Sequence, residues 1–502
     1  MVSKEKLYVT VFFAAFLLLG ILVYKDYGMG PDERTQREYG LIVYNYIFNG
    51  NDSLLSYKDR DYGPFFEVSL IVIEKTLNLT DSEDIFYVRH LVNYLFFYIS
   101  AIFFYLLLKK YIIKNWKISL LGTLFFFLSP RMFAESFYNS KDIIFMSSFL
   151  ISIYTLIRFK NKLSIKNALF HAIACAICID IRVLGVLIPF ITFIILVDYN
   201  KNIKIVISRF KYIIVFIVFL IPIIILFWPT LWTNPLFIID SFKRMSNFTH
   251  GSLEFFFGVK YELTNLPWYF VPTWIFMSTP LIYSVLFIMG LIFVLKKISK
   301  ENIIFLSTFF VPIIMIILLN STIYDTWRHV YFVYPSFLII AIIGLKNLLH
   351  IAELKNLVIF FTVFSLVLVA LFMIKNHPYQ NMFFNFLVMK TVDIENNLEL
   401  DYWAVSYTDI LRYIAKIDSR DNINITYVGM GPQVNKLILS KEDRDRLFIY
   451  DVHFLDLSEE QVNNSNYFIT NYRWWQGSDF NCNKIYNITV EGLEIASACR
   501  LK

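Results

Sequence analysis

The feature that most constrains this chain is a succession of apolar runs long enough to cross a bilayer. A helix needs about 20 apolar residues to span the hydrocarbon core. Charged residues are 17% of the 502, and hydrophobic residues are 57%. This composition excludes a single soluble domain, a disordered tail and a nucleic-acid-binding arm. We predict a mainly α, polytopic membrane helix bundle of about eleven spans, with apolar runs beginning near residues 7, 88, 118, 142, 168, 183, 212, 271, 303, 331 and 356.

The loops between these runs set the orientation. The first run follows Lys4 and Lys6 without a small-residue cleavage site, which indicates a retained signal-anchor. If the N-terminus is cytoplasmic, the inner loops and the N-terminal lysines carry roughly nineteen Lys and Arg against about three acids, as the positive-inside rule requires. We therefore expect a multi-pass protein of the cell (inner) membrane, with a cytoplasmic N-terminus and an extracytoplasmic C-terminus.

Two outer segments, residues 25–87 and 229–270, are longer than connectors need to be. Within the first, residues 35–48 have helical spacing of apolar residues. This predicts either a helix lying along the membrane interface or an ordinary helix packed on the protein. We expect residues 1–374 to form the transmembrane, catalytic module.

Residues 375–502 change in character and predict a small extracytoplasmic α/β domain. DYWAVSYTDILRYIAK has an amphipathic pattern, with Ser406 and Asp409 at capping-box spacing, and the short runs NITYVG, LFIYDV and NYFITNY predict strands. Gly429 and Gly431 fit a turn better than a nucleotide site. Cys482 and Cys499 are close enough to the C-terminus to form an extracytoplasmic pair.

Cys175 and Cys178 lie in an apolar run with no other metal ligands at suitable spacing, so we interpret them as packing residues.

Charged residues cluster at the outer ends of the spans rather than at their centres. Asp32 and Glu33 follow Gly30-Pro31 just after the first run. A carboxylate held near apolar surroundings suits a general base, whereas the alternative is a solvated loop with Asp32 as a helix N-cap. A transport pathway would instead place ionisable groups in mid-membrane. These observations predict polar chemistry at the outer mouth of the bundle.

Three further strings concentrate polar residues at this mouth. SPRMFAESFYNSKD holds cations beside hydrogen-bond donors, as an anionic phosphate requires, or else forms a salt-bridged knot that anchors two helices. YDTWRHVYF places an arginine and a histidine beside aromatic rings. Arg182 in DIRVLG is a lone cation between two runs, with Asp180 as its alternative partner. The candidate residues in these strings are Arg131, Glu135, Asn139, Lys141, Asp142, Arg182, Asp325, Arg328 and His329.

Taken in order, PDER, SPRMFAESFYNSKD, FWPTLWTNP, NLPWYFVPTW, YDTWRHVYF and HPYQNMFFN with LDYWAVSY resemble bacterial members of glycosyltransferase family 39, relatives of the protein O-mannosyltransferases. The resemblance covers residues 1 to about 416. It implies a GT-C fold and a polyprenyl-phosphate sugar as donor. A related branch that modifies lipid A has a lysine-bearing motif before its second span, where this chain has DYGPFFE without lysine. That branch's phosphate lysine and lipid A substrate therefore do not carry over.

The resemblance also implies roles. Asp32 takes the place of the catalytic base with Glu33 as its neighbour, and Asp142 positions the acceptor or a divalent cation. Arg131, Lys141, Arg182 and Arg328 are the candidates for binding the donor phosphate. The remaining candidates for substrate binding are Tyr62, Glu135, Asn139, Asp325 and His329.

The predicted function is transfer of a sugar, with inversion, from a polyprenyl-phosphate donor to a hydroxyl of a glycan, lipid or protein acceptor on the extracytoplasmic face. Two alternatives come from other classes. A transporter or flippase of lipid-linked glycans predicts paired repeats and mid-membrane charges, which the sequence does not show clearly. A structural or sensory membrane protein leaves the clustered outer arginines and aspartates without a role.

Overall fold

The structure, a computed structural model, describes residues 4–197, 203–246, 253–451, 464–473 and 483–501. The expected pairing of Cys482 with Cys499 involves Cys482, which lies outside these residues. Cys175 and Cys178 are free and buried in a helix, in agreement with a packing role.

Within the described residues, seven helices are long and apolar enough to cross a membrane. Trp116–Phe127 and Pro130–Tyr138 would make an eighth span if counted together, although they are bent by 62°. The remaining predicted runs fall on the shorter helices Ile165–Ile181, Val183–Leu196 and Leu281–Lys296. The seven are Lys4–Val23, Ser82–Ile112, Asp142–Asn161, Arg209–Phe227, Lys300–Leu318, Arg328–Leu348 and Ala352–Lys375.

Side-chain caps begin several helices where the sequence places Asp, Asn or Ser. The Asp81 carboxylate accepts from the Glu83 N–H at 2.9 Å, and the Asn115 side chain accepts from the Lys117 N–H at 3.0 Å. Such caps satisfy backbone donors that have no partner in the first helical turn. The shorter helices of the chain are Asp32–Asn49, Ser53–Ser56, Phe65–Thr76, Pro229–Trp232, Phe237–Ser246, Phe270–Met277, Gln380–Met382, Phe386–Thr391, Ile394–Asn397, Tyr407–Ile417, Pro432–Asn435, Lys436–Ile438 and Lys441–Arg446.

Two spans form the centre of the bundle. Asp142–Asn161 and Arg328–Leu348 are 89% and 83% buried, whereas Lys4–Val23 and Ala352–Lys375 are 11% and 22% buried. The first two are therefore surrounded by protein, and the other two present most of their apolar surface outward. Asp142 and Arg328 are the first residues of the two central helices, and the 3.2 Å contact between their side chains places both at the same end of the bundle.

The helix Asp32–Asn49 confirms the helical spacing predicted for residues 35–48. Tyr39 and Val43 are buried in a small apolar cluster with Leu54. The neighbouring helix Phe65–Thr76 lies against Gly40. These contacts favour the alternative of a helix packed on the protein.

The predicted C-terminal strands are confirmed. With two strands that were not predicted, these three form a mixed sheet in the order Leu447–Asp451, Ile423–Tyr427, Tyr467–Thr470, Leu493–Arg500 and Asn483–Val490. The first three are parallel, and the last two form an antiparallel hairpin whose second strand pairs with Tyr467–Thr470. A separate antiparallel hairpin, Leu253–Phe256 with Val259–Glu262, lies in the second outer segment.

The predicted capping box at Ser406 is wrong. The helix begins at Tyr407, and the Ser406 hydroxyl donates to the Asp401 carboxylate instead of capping the first turn. Gly429 and Gly431 have φ of 109° and 122°, in agreement with the turn predicted there. The part of the chain that holds the five-stranded sheet, here called the sheet segment, also contacts the bundle directly. Arg444 Nη2 lies 2.8 Å from Asp81 Oδ2, and Asp81 directly precedes the span Ser82–Ile112.

Two glycines allow helices Leu281–Lys296 and Tyr334–Leu348 to touch backbone to backbone. A Cβ at Gly290 would overlap the Ile340 carbonyl, and one at Gly344 would overlap the Leu286 carbonyl. Small residues at such contacts are how membrane helices approach closely. We expect Gly290→Leu to destabilise the fold by about 3 kcal/mol or more, because backbone cannot move aside cheaply.

The apparent unfolding temperature of purified protein in detergent checks this expectation. Ile288→Leu is the matched control, since Ile288 is 57% exposed on the same helix. Equal melting temperatures for the two variants would contradict the proposed close contact.

Candidate active site

Arg328 connects the two aspartates that the sequence analysis placed at the mouth of the bundle. Its Nη1 donates to Asp32 Oδ2 at 3.0 Å and to Asp142 Oδ2 at 3.2 Å. Its Nη2 lies 2.9 Å from Asp325 Oδ2. The guanidinium is only 4% exposed, so it is a buried cation held by carboxylates from three parts of the chain.

Arg182 joins this group through Asp142. Its Nη2 pairs with Asp142 Oδ1, so Asp142 bonds to two arginines. The alternative pairing of Arg182 with Asp180 is wrong, because Asp180 Oδ1 accepts from the Phe65 N–H at 2.7 Å. Arg182 directly follows the helix Ile165–Ile181, and its backbone is extended. Its side chain lies at the mouth of the bundle, where it pairs with Asp142.

Lys141 lies beside the same charges, immediately before the central helix. Its Nζ is 3.2 Å from the centre of the Tyr62 ring, as in a cation–π contact. The pKa of Lys141 is lowered to about 7, mainly by burial and also by the positive charges of Arg182 and Arg328, while Asp32 and Asp142 act in the opposite direction. Lys141 therefore changes charge near neutral pH.

Exposure distinguishes the two aspartates. The Asp142 side chain is 1% exposed and bonds to Arg182, Arg328 and Asn139, whereas the Asp32 side chain is 44% exposed. Asp32 begins the helix after Pro31, which sits at the N-cap position, so the alternative of Asp32 as an N-cap is wrong. A molecule approaching from solvent reaches the Asp32 carboxylate and not that of Asp142.

Glu33 is not part of this group, although it is next to Asp32. Its Oε1 accepts from the Gly30 N–H at 2.9 Å, and its Oε2 lies 3.1 Å from His90 Nε2. Adjacent residues at the start of a helix point about 100° apart, and Glu33 is fully buried on the inner side. It therefore fixes the turn before Asp32 from behind and does not face the mouth.

Arg131 and Glu135 form a second, fully buried group. Arg131 Nη1 donates to the Tyr402 hydroxyl at 3.2 Å, and the Tyr331 hydroxyl donates to Glu135 Oε1 at 2.7 Å. Arg131 is thus not brought to the Arg328 group with the other predicted cations. Arg131 and Glu135 bond to tyrosine hydroxyls, and Asp142 of the same turn pairs with Arg182 and Arg328, so the turn is not a salt-bridged knot closed on itself.

Asn139 connects the two groups. Its Nδ2 donates to Glu135 at 2.9 Å and to Asp142 at 3.3 Å, and its Oδ1 accepts from the Asp142 N–H at 2.8 Å. It accounts for the predicted proximity of these three residues, and it sets the direction of the Asp142 carboxylate.

Three buried carboxylates adjoin the mouth on its other side. Glu254, Asp325 and Glu399 each offer an oxygen within 4.8 Å of the others, which is close enough to hold a cation. Arg473, from the end of a C-terminal strand, pairs with Asp325 and lies 3.6 Å from Glu399. Burial and the neighbouring Glu399 and Asp325 raise the pKa of Glu254, and burial raises that of Glu399 to about 7.

The divalent cation considered at Asp142 would have to compete with a guanidinium. Arg328 Nη1 already lies within hydrogen-bond distance of both Asp32 and Asp142, and Arg182 bonds to the other Asp142 oxygen. Metal-binding carboxylates keep their oxygens directed at the ion. Here the arginines take that position.

His329 lies next to Arg328 but turns to an aromatic partner, with its ring 4.4 Å from that of Tyr324 in an edge-to-face arrangement. Tyr324 and Trp403 in turn lie 5.0 and 4.9 Å from the Arg328 guanidinium. The sequence analysis did not select Trp403, Glu254, Glu399 or Arg473. Trp403 lies within LDYWAVSY, Glu399 comes directly before that string and Arg473 directly after NYFITNY, but no pattern in the sequence links these segments to Arg328.

No known family profile matches the chain, and no curated protein matches it. Among solved structures, it is similar to ArnT from Cupriavidus metallidurans bound to undecaprenyl phosphate, with a TM-score of 0.51, 11% sequence identity and 98% of each chain covered. It is also matched with the archaeal oligosaccharyltransferase AglB from Archaeoglobus fulgidus, in complex with an inhibitory peptide and a dolichol-phosphate. That match has a TM-score of 0.43 and 10% identity, and covers 93% of this chain and 70% of AglB.

At these identities the likeness to ArnT is one of fold. It spans both the helical bundle and the C-terminal sheet, and it confirms the predicted class, a GT-C-like membrane helix bundle with a small sheet domain. The AglB match is too distant to support an argument of its own.

Replacing Asp142 or Asp32 by asparagine should lower the free energy of unfolding by different amounts. Asp142→Asn removes the carboxylate that pairs with Arg182 and one of the three carboxylates around the buried Arg328, so we expect it to lower the free energy of unfolding by about 3–5 kcal/mol. Asp32→Asn affects a half-exposed carboxylate, so we expect a loss of about 1 kcal/mol or less. Denaturation of both variants in detergent measures the difference, and equal losses would contradict this distinction.

Proposed function

We propose that this protein is a membrane glycosyltransferase that moves a sugar from a polyprenyl-phosphate donor to an acceptor hydroxyl. The observation that carries the proposal is the grouping of a half-exposed carboxylate, Asp32, with Lys141, Arg182 and Arg328 where the apolar spans end. Such a site can take a lipid whose tail stays in the membrane and whose phosphate lies at its surface. The fold of ArnT, crystallised with undecaprenyl phosphate, gives independent support.

In the proposed reaction Asp32 removes the proton from the acceptor hydroxyl. The hydroxyl oxygen then attacks the anomeric carbon from the face opposite the phosphate, the bond from that carbon to the phosphate oxygen breaks, and polyprenyl phosphate leaves with inversion. Asp32 accepts a hydrogen bond from Arg328 Nη1 at 3.0 Å, which holds its carboxylate beside the cations. Asp142 orients the two arginines, and it lies too deep to meet the acceptor.

The cations act on the leaving group. A sugar phosphodiester carries one negative charge, and the departing phosphate gains a second one. Cations held beside it therefore interact more strongly with the transition state than with the bound donor. Lys141 and Arg182 serve this purpose best, because Arg328 already bonds to three carboxylates.

The finer assignment rests on the sequence strings. We propose an enzyme related to family 39 and the protein O-mannosyltransferases, in the inner membrane, with its N-terminus cytoplasmic and the site extracytoplasmic. Residues 375–502 would then form the extracytoplasmic domain. The sugar is a hexose or a pentose, and the acceptor is a protein, lipid or glycan hydroxyl.

Asp32→Asn should reduce transfer at least about 100-fold while the protein stays folded, because the base is lost and the phosphate site remains. The measurement is release of free undecaprenyl phosphate and appearance of glycosylated acceptor, using membranes as the acceptor source and defined undecaprenyl-phosphate sugars as donors. Glu38→Gln is the control, since Glu38 is exposed on the same helix.

Near-normal transfer by Asp32→Asn would remove Asp32 from the role of base. Movement of intact lipid-linked sugar across the membrane without release of undecaprenyl phosphate would instead identify a flippase.

The charge on Lys141 gives a pH dependence. A lysine with pKa about 7 is charged below that pH and neutral above it, so the positive charge that attracts phosphate is lost as pH rises from 6 to 8. We expect wild-type affinity for undecaprenyl phosphate to exceed that of Lys141→Met by about tenfold at pH 6, and the difference to shrink at pH 8.

The comparison between the two proteins is needed because the phosphate also titrates, at a pH of about 6. Lys75→Met, on an exposed position of the helix Phe65–Thr76, is the control. A constant ratio of affinities from pH 6 to 8 would contradict the role of Lys141.

A further inference from the structure

The turn that precedes Arg328 has an unfavourable backbone. Asp325 and Thr326 are consecutive residues with φ of 56° and 69°, in the left-handed region that favours glycine. Each such residue costs about 1 kcal/mol or more, and the conformation persists only where surrounding contacts fix it. Because Arg328 is two residues after Thr326, the shape of this turn sets the position of the Arg328 backbone and so the place from which its side chain extends.

Two distant parts of the chain fix the turn. Glu254, from the outer hairpin, accepts from the Asp325 N–H at 2.9 Å and from the Thr326 N–H at 3.1 Å. Arg473, from the end of the strand Tyr467–Thr470, pairs with the Asp325 side chain and donates to the Tyr402 carbonyl at 2.7 Å. Asp325 thus lies between two arginines, with Oδ1 toward Arg473 and Oδ2 toward Arg328.

We propose that Arg473 is a positioning residue for the site, which holds Arg328 in place through Asp325. The positive charge of Arg473 neutralises part of the negative charge of Asp325 and Glu399. Arg328 can therefore stay between Asp32 and Asp142. The C-terminal sheet segment would then be part of the active site rather than an accessory domain. The consequence for catalysis rests on the proposed function, whereas the placement of Arg328 does not.

The charges explain why Arg473 is needed. The groups that face Arg473 from the turn, the hairpin and the segment before the Tyr407–Ile417 helix are Asp325, Glu254, Glu399 and Asp401, with Arg328 on the far side of Asp325. All are buried or nearly so. Without Arg473, Arg328 is the cation that still pairs with Asp325 among the described residues, so these carboxylates would draw it away from Asp32.

The test is the structure of the full-length Arg473→Met protein, determined by cryo-electron microscopy with an antibody fragment. We expect the Arg328 guanidinium to leave Asp32, Asp142 or both. In parallel, the affinity for undecaprenyl phosphate and the rate of sugar transfer should each fall about tenfold. Arg420→Met is the matched control, because Arg420 pairs with Asp418 within the sheet segment.

Two further variants separate positioning from simple packing. Arg473→Lys keeps the cation and should restore much of the rate. Arg473→Met combined with Glu399→Gln removes one buried carboxylate with the cation, and should return Arg328 to its place although the packing of residue 473 remains altered. If Arg473→Met does not fold, the double variant becomes the test. The proposal is overturned if the double variant also does not fold, or if it folds with Arg328 displaced.

The outcomes are distinct from those of the proposed function. An Arg328 that keeps both contacts in Arg473→Met would refute the positioning role, whatever the activity. A displaced Arg328 in a protein whose wild type neither binds undecaprenyl phosphate nor transfers sugar would support the positioning role and refute the proposed function.

Discussion

The architecture of the mouth depends on one requirement, that the buried guanidinium of Arg328 be surrounded by carboxylates. A charge removed from water is tolerated only when it is paired and hydrogen-bonded. Asp32 meets this need from the start of the helix that follows the first span, Asp142 from the start of a central span, and Asp325 from the turn before the second central span. Satisfying one cation therefore brings together segments that are almost 300 residues apart in the chain, as the sequence separation of 296 between Asp32 and Arg328 shows.

Sequence patterns were sufficient for the parts of the molecule that follow from local chemistry. Apolar length predicted the helices, and clustered charges predicted that Asp32, Lys141, Asp142, Arg182 and Arg328 lie at one end. The same strings could not show which of Asp32 and Glu33 faces the mouth. That depends on the direction in which each side chain leaves the first turn of the helix. The strings also grouped Arg131 with the other cations, although Arg131 lies at the start of the preceding helix, Pro130–Tyr138, and bonds to Tyr402.

The residues that the sequence missed share a different property. Glu254, Glu399 and Arg473 lie in segments typical of a hairpin, a loop and a strand end. Their meaning comes from tertiary contact, since each meets the Asp325 turn from a separate part of the fold. No local period or spacing records such a meeting, so a single sequence offers no signal for it.

The burial of the two central helices has a consequence for how this scaffold can change. Helices that are 89% and 83% enclosed by neighbours cannot accept new side chains without disturbing the whole bundle. The Arg328 group is contacted from outside this pair by the helix Asp32–Asn49, and its Asp325 turn by the hairpin and the C-terminal segment. Each of these elements has exposed residues. Substitutions that change the acceptor, whether in evolution or in engineering, are therefore best placed in those peripheral elements. The two central helices would be left unchanged.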